Sequence, residues 1–323
     1  MKLSDLRIGN LIAKVPIVQG GMAVRVSTAP LAAAVANEGG IGLIAGSGLK
    51  VEELKEEIRK ARELSQGIIG VNIMVAVREF KELVDAAVSE GIDLIVAGAG
   101  FSRDLFTVGK ETGVEIVPIV SSVKLAKISE KLGASAIVVE GKEAGGHLGT
   151  DQPMKTLVEK IVKAVKIPVI AAGGIIDGKD IAEVLKLGAS GVQMGSRFVA
   201  STECEVDDSF KQTYINASKE DSVLINSPVG LPGRALKNEF FDRLSSNEVD
   251  TGKSCDYICL KKCSHSFCIM DSLIKAQEGN MTHGLVFAGE RAHLIDKVLP
   301  VKEIINNLVS EARKYLGGEE EDE

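Results

Sequence analysis

The chain has 323 residues, 45% of them hydrophobic but only 4% aromatic, with no Trp and a formal net charge of -7. That length suits one α/β barrel of roughly 250 residues carrying an insertion, and a core so poor in aromatics must be built from Val, Ile, Leu and Ala, as buried parallel strands require. The acidic balance and the lack of a polybasic run exclude a nucleic-acid surface, which needs clustered Lys and Arg.

From Val15 to about Phe198, short β-branched runs alternate with longer segments of helical period, and almost every run ends in Gly or a small polar residue. The predicted strands are VPIVQ (15–19), IGLIAG (41–46), GIIGVNIM (67–74), DLIVAG (93–98), EIVPIV (115–120), AIVVEG (136–141), PVIAAG (168–173) and GVQMGS (191–196). Amphipathic helices lie between them; from Met154 to Val165, for example, Leu157, Ile161 and Val165 share one face. Eight such units predict a TIM (β/α)8 barrel. An open doubly wound sheet is the competing architecture, disfavoured because no dinucleotide fingerprint follows the first strand. The barrel is expected from residues 1–200 and 301–316, with 201–300 as a mainly helical insertion over its mouth. A last helix near 301–315 carries Ile304, Ile305, Leu308, Ala312 and Tyr315 on one stripe, and 317–323 reads as an acidic, disordered tail.

No apolar run approaches the roughly 18 to 20 residues that span a bilayer, and MKLSDLRIGN lacks the apolar core of a signal peptide. Five cysteines, four of them between Cys255 and Cys268, make no disulfide framework for so long a chain. A cytoplasmic protein without membrane or nucleic-acid partners is expected.

In barrels the reactive groups gather at the carboxyl ends of the strands. QGGM (19–22), VNI (71–73), EGKEAGGHLG (140–149), AAGGI (171–175) and MGSRF (194–198) all stand there. Gly173 and Gly174, with Gly195 and Ser196 on the next strand, offer bare backbone N–H groups and a hydroxyl, the equipment of a phosphate site. His147 sits among glycines after the sixth strand, where packing does not ask for an imidazole, and a near-neutral pKa suits it to proton transfer. His265, His283 and His293 have no comparable setting and are expected to be structural.

Taken together, QGGM, GVN, EGxEAGGHxG, IPVIAAGGI, GVQMGSRF and HGLVFAGE resemble the nitronate monooxygenase family (2-nitropropane dioxygenases), which includes the FMN-dependent enoyl-acyl-carrier-protein reductase II enzymes. The resemblance implies FMN, with Gly21, Met22 and Asn72 at the isoalloxazine ring and Gly173, Gly174, Gly195 and Ser196 at the phosphate. It places His147 as active-site base or substrate anchor; Glu140 and Glu143 could orient it or bind the ribityl hydroxyls.

Cys255, Cys259, Cys263 and Cys268 are spaced x3, x3, x4, which brings the first three near one face if the stretch is helical. Zinc sites usually use CxxC knuckles, absent here, so an iron–sulfur cluster is the preferred metal reading, with zinc or a buried apolar face as alternatives. This segment departs from the family pattern. Two activities therefore stand side by side: oxidation of alkyl nitronates with oxygen, or reduction of an enoyl thioester using NAD(P)H or electrons relayed by the cluster from a redox partner protein. A flavin-free phosphate-binding barrel is a third. The substrate is a small molecule or an acyl thioester in the first two, and a homodimer is compatible with all three.

Overall fold

The computed structural model describes residues 3–249, 255 and 257–317. Residues 318–323 of the expected tail lie outside the described residues. A short antiparallel hairpin, β1 (Leu6–Ile8) and β2 (Leu11–Ala13), comes first. Then follow β3 (Ile17–Gln19), β4 (Ile41–Ala45), β5 (Ile68–Met74), β6 (Leu94–Gly98), β7 (Glu115–Val120) and β8 (Ile137–Glu140). After a two-residue strand, β9 (Gly146–His147), come β10 (Val169–Ala172), β11 (Gly191–Met194), β12 (Ser222–Asn226) and β13 (Pro232–Leu236).

Strands β3 to β8, β10 and β11 close into a barrel in the order β10-β11-β3-β4-β5-β6-β7-β8, every pairing parallel. These are the eight predicted runs. The last ends at Met194 rather than at Ser196, because Ser196 already opens a short helix, Ser196–Val199. Alternate residues point into the barrel, where Val18, Leu43, Val96, Val117, Val138 and Ile170 form one apolar cluster; the other faces pack under the helices in a second. Leu6 and Ile8 of the hairpin join the inner cluster, with Leu6 against Gly191 at the start of β11, so the hairpin closes the amino end of the barrel. Each is fully buried and contributes about 1.5–3 kcal/mol of transfer free energy. Its three-residue strands, each with an exposed position, carry too little periodicity to be read from the sequence.

The helix Val301–Leu316 packs on the helices Gly178–Lys186 and Ala29–Asn37 and so fills the eighth helical place. Its buried stripe ends on Leu316, four residues after Ala312, rather than on the predicted Tyr315, which is 43% exposed with Lys179 over its ring. Between β11 and that helix lie the helices Asp208–Ile215, Glu239–Ser245 and Ile269–Gln277, together with a feature the sequence reading did not include. This is the hairpin β12–β13, whose second strand pairs with β9 through Gly233 opposite His147 and Arg234 opposite Gly146. No helix among the described residues is long and apolar enough to cross a membrane.

Candidate functional site

One large cavity opens at the carboxyl ends of the barrel strands, and Gly21, Met22, Asn72, Glu140, His147, Gly173, Gly174, Gly195 and Ser196 all line it. Adjacency of β10 and β11 brings the two glycine pairs together. Gly173 (φ +108°) and Gly174 (φ +71°) hold conformations that side chains rarely adopt, and a Cβ on either would stand 3.0 Å from the neighbouring 143–144 backbone or side chain. The result is bare backbone at the cavity wall. Ser196 Oγ accepts the backbone N–H of Gly289 at 2.9 Å, which draws HGLVFAGE across this end. Arg291 donates to the carbonyl of Gly174 at 2.9 Å and pairs with Asp180, setting a fixed guanidinium beside the glycines. Arg291 was not singled out in the sequence, where nothing distinguishes it from other surface cations.

Opposite, the loop after β3 lies flat on β5. Asn72 Nδ2 donates to Gly21 O at 3.2 Å, and a Cβ on Gly21 would come within 2.3 Å of Asn72 Cβ. On β11, Gln193 lines the same cavity with Oε1 buried and without a hydrogen-bond partner. Leaving such an acceptor unpaired costs about 1–3 kcal/mol, a cost that a water or a ligand N–H or O–H in the cavity would remove. Strand alternation could have flagged Gln193, a polar residue in an otherwise apolar run.

His147 is not in a free loop as the sequence suggested: β9 fixes its backbone on β13, and Leu148 N donates to Pro232 O at 2.8 Å. The Arg234 guanidinium clamps the same segment through the Lys142 carbonyl at 2.9 and 3.2 Å. His147 Nε2 meets Ser227 Oγ at 2.8 Å, and the Phe287 ring stands edge-on at 5.1 Å between centroids. Burial pushes its pKa down to about 4, so the imidazole is neutral at physiological pH. Glu140, at the end of β8, lines the cavity without a hydrogen-bond partner among the described residues, and burial raises its pKa to about 8. At neutral pH it is a carboxylic acid and a donor. Glu143 is not among the residues lining the cavity; its carboxylate accepts Met154 N at 2.9 Å at the start of the helix Met154–Ile161.

None of the described residues of the cysteine segment, 255 and 257–268, is helical, so the condition for a common helical face is not met. Lys261 N donates to Ala76 O at 3.0 Å and Arg78 N to Cys259 O at 2.9 Å, clipping the segment in extended form to the loop after β5. Among the described residues, no three His, Cys, Asp or Glu side chains converge on a point that could hold a single metal ion. Of the histidines expected to be structural, His283 Nδ1 bonds Asn280 Oδ1 at 3.2 Å, whereas His265 borders the cysteines.

Against known proteins, the nitronate monooxygenase family model matches residues 6–92 and 74–311. The chain is 31% identical to the (3aS,4S,5R,7aS)-5-hydroxy-7a-methyl-1-oxo-octahydro-1H-indene-4-carboxyl-CoA dehydrogenase of Rhodococcus jostii over 93% of each chain. It is 28% identical to a probable nitronate monooxygenase of Staphylococcus aureus, covering 93% of this chain and 95% of that one. Among solved structures, FabK from Thermotoga maritima superposes with a TM-score of 0.84 at 36% identity over 93% of both chains.

Proposed function

The chain belongs to the nitronate monooxygenase family of oxidoreductases, and from that premise we propose that it is an FMN-dependent enzyme that oxidises alkyl nitronates with oxygen. The observation that carries the flavin reading is the bare glycine wall of β10 and β11 facing an unpaired Gln193 acceptor in one cavity. A mononucleotide fits that equipment. Gly173, Gly174, Gly195 and Ser196, with Arg291 beside them, would hold its phosphate, while Gly21, Met22 and Asn72 would flank the ring and Glu140 would meet the ribityl chain. Bound there, FMN would supply a two-electron acceptor or donor. The chain's own part is positional and electrostatic. His147, neutral and fixed by Ser227, holds an imidazole that can take a proton from a carbon acid or donate one hydrogen bond to its oxygen. Phe287 packs edge-on against that imidazole and lines the same cavity.

A second reading is reduction of an enoyl thioester with NAD(P)H, or with a redox partner protein, as donor. Two observations favour it: the relatives include a CoA dehydrogenase and FabK, and the His147 end of the cavity is uncharged at neutral pH, which suits a neutral thioester. Oxygen uptake with a nitronate, set against NAD(P)H consumption with an enoyl thioester, separates the two. Chromatography of the extracted chromophore should give FMN; recovery of FAD, or of no flavin after reconstitution, would overturn the cofactor. A cytoplasmic location and a homodimer remain expectations of this reading, checked by fractionation and by solution mass.

A further inference from the structure

We propose that Cys255, Cys259, Cys263 and Cys268 hold an iron–sulfur cluster, a site that stands independently of the flavin reading. A second cavity, of about 150 Å³, is lined by Cys255, Cys259 and Cys263 together with Arg78, Lys261 and His265. Three sulfurs therefore border one space, and Cys268 follows five residues after Cys263. In a four-iron cluster each thiolate binds a different iron. The sulfurs then stand around the group rather than around one point, which agrees with the absence of a single-ion arrangement among the described residues and of the CxxC knuckles of zinc sites.

The sulfurs are also provided for. Cys255 Sγ accepts Ile258 N and Cys263 Sγ accepts His265 N, both at 3.4 Å. Cys268 stands at the N-cap position of the helix Ile269–Gln277. Hydrogen bonds to cluster sulfurs are what a protein uses to set a cluster's potential. Four thiolates make an anionic group, and the charged residues at the wall are cations: Arg78 donates to Ile258 O at 3.2 Å and Lys261 to Val75 O at 2.6 Å, so both are already held in place. The position is informative too. Val75 follows Met74 at the main cavity, and Leu273, which also lines that cavity, is five residues from Cys268, roughly 7.5 Å along the helix axis.

The test is anaerobic purification of the full chain, reconstituted with ferrous iron and sulfide under reducing conditions, followed by iron, zinc, sulfide and FMN analysis and by EPR after dithionite. Expected are iron and sulfide in equal amounts, roughly four of each per chain, with a cluster EPR signal. Cys259→Ser and Cys263→Ser should each lose both while FMN content holds; Cys204→Ser, whose buried thiol bonds Val26 O at 3.2 Å, should keep them. Zinc alone, no metal, or a full cluster retained in both serine variants would overturn the site. Because FMN is measured in the same samples, loss of flavin binding is read separately.

Discussion

The two ends of the main cavity solve opposite electrostatic problems. At the β10–β11 end, charge is fixed in advance: Arg291 is tied to Asp180 and to the Gly174 carbonyl, and glycines leave the backbone bare at the cavity wall. At the β8–β9 end, charge is withheld. His147 and Glu140 are both titratable and both neutral at pH 7, because burial depresses one pKa to about 4 and raises the other to about 8. An end with fixed donors binds an anion constantly, whereas an end with two neutral titratable groups can move a proton without first shedding a charge. Binding and chemistry are therefore separable, and substitutions should separate them.

The largest effect is expected at the binding end. Gly173→Ala places a Cβ 3.0 Å from Ala144 N on a residue whose φ is +108°, so the turn must shift and close the cradle. Purified protein should be flavin-free and inactive while remaining folded by circular dichroism; a yellow, active variant would show that the glycine wall is not the phosphate site. Next comes His147→Ala. It should keep FMN, because its strand contributes nothing to the β10–β11 wall, and lose about 10²- to 10⁴-fold in kcat, the usual contribution of a general acid–base group. Loss of flavin together with rate would break the separation.

Much of the binding end was legible in the sequence, and little of the support for the other end was. Gly173, Gly174, Gly195 and Ser196 could be named because they follow β-branched runs directly, and strand ends fix where a barrel presents its groups. His147 could be named by its odd setting among glycines. Its partners could not: Ser227, Arg234 and Phe287 lie 80 or more residues away and reach it through β13 and the 283–290 segment. β12 and β13 flank a turn that holds Pro228, with Pro232 opening β13, and only the pairing of β13 with β9 explains them. In the cysteine segment a shared face depended on a helix, whereas Lys261 and Arg78 tie the chain to the loop after β5 and spend its backbone groups on that loop instead.

The charge-withholding end also makes a pH prediction. Activity needs His147 neutral, hence pH above about 4, and Glu140 protonated, hence pH below about 8. Above that, an ionised Glu140 puts a negative charge in the cavity that must receive an electron pair, and the rate falls. The profile of kcat/KM, which reports the free enzyme, should be flat between these limits. Glu140→Gln, which cannot ionise, should flatten the alkaline limb and leave the acid limb in place. If the alkaline limb survives in that variant, another group owns it.

The smallest effect is expected at Ser227, which positions His147 without lining the cavity. Its hydroxyl lies 2.8 Å from His147 Nε2 and is itself held by Val229 N at 3.3 Å, within a turn closed by Gly230 N on Ser227 O at 2.9 Å. The imidazole would remain in place without it, since β9 fixes the backbone and Phe287 packs against the ring. What disappears is one hydrogen bond, worth about 0.5–1.5 kcal/mol net, so Ser227→Ala should lower kcat by roughly two- to tenfold with KM and FMN content unchanged. Ser227→Thr, which keeps a hydroxyl at the same carbon, should recover most of the rate. A purely structural serine would predict instead that both variants lose stability and KM together while kcat per flavin holds, and that pattern would remove Ser227 from the positioning of His147.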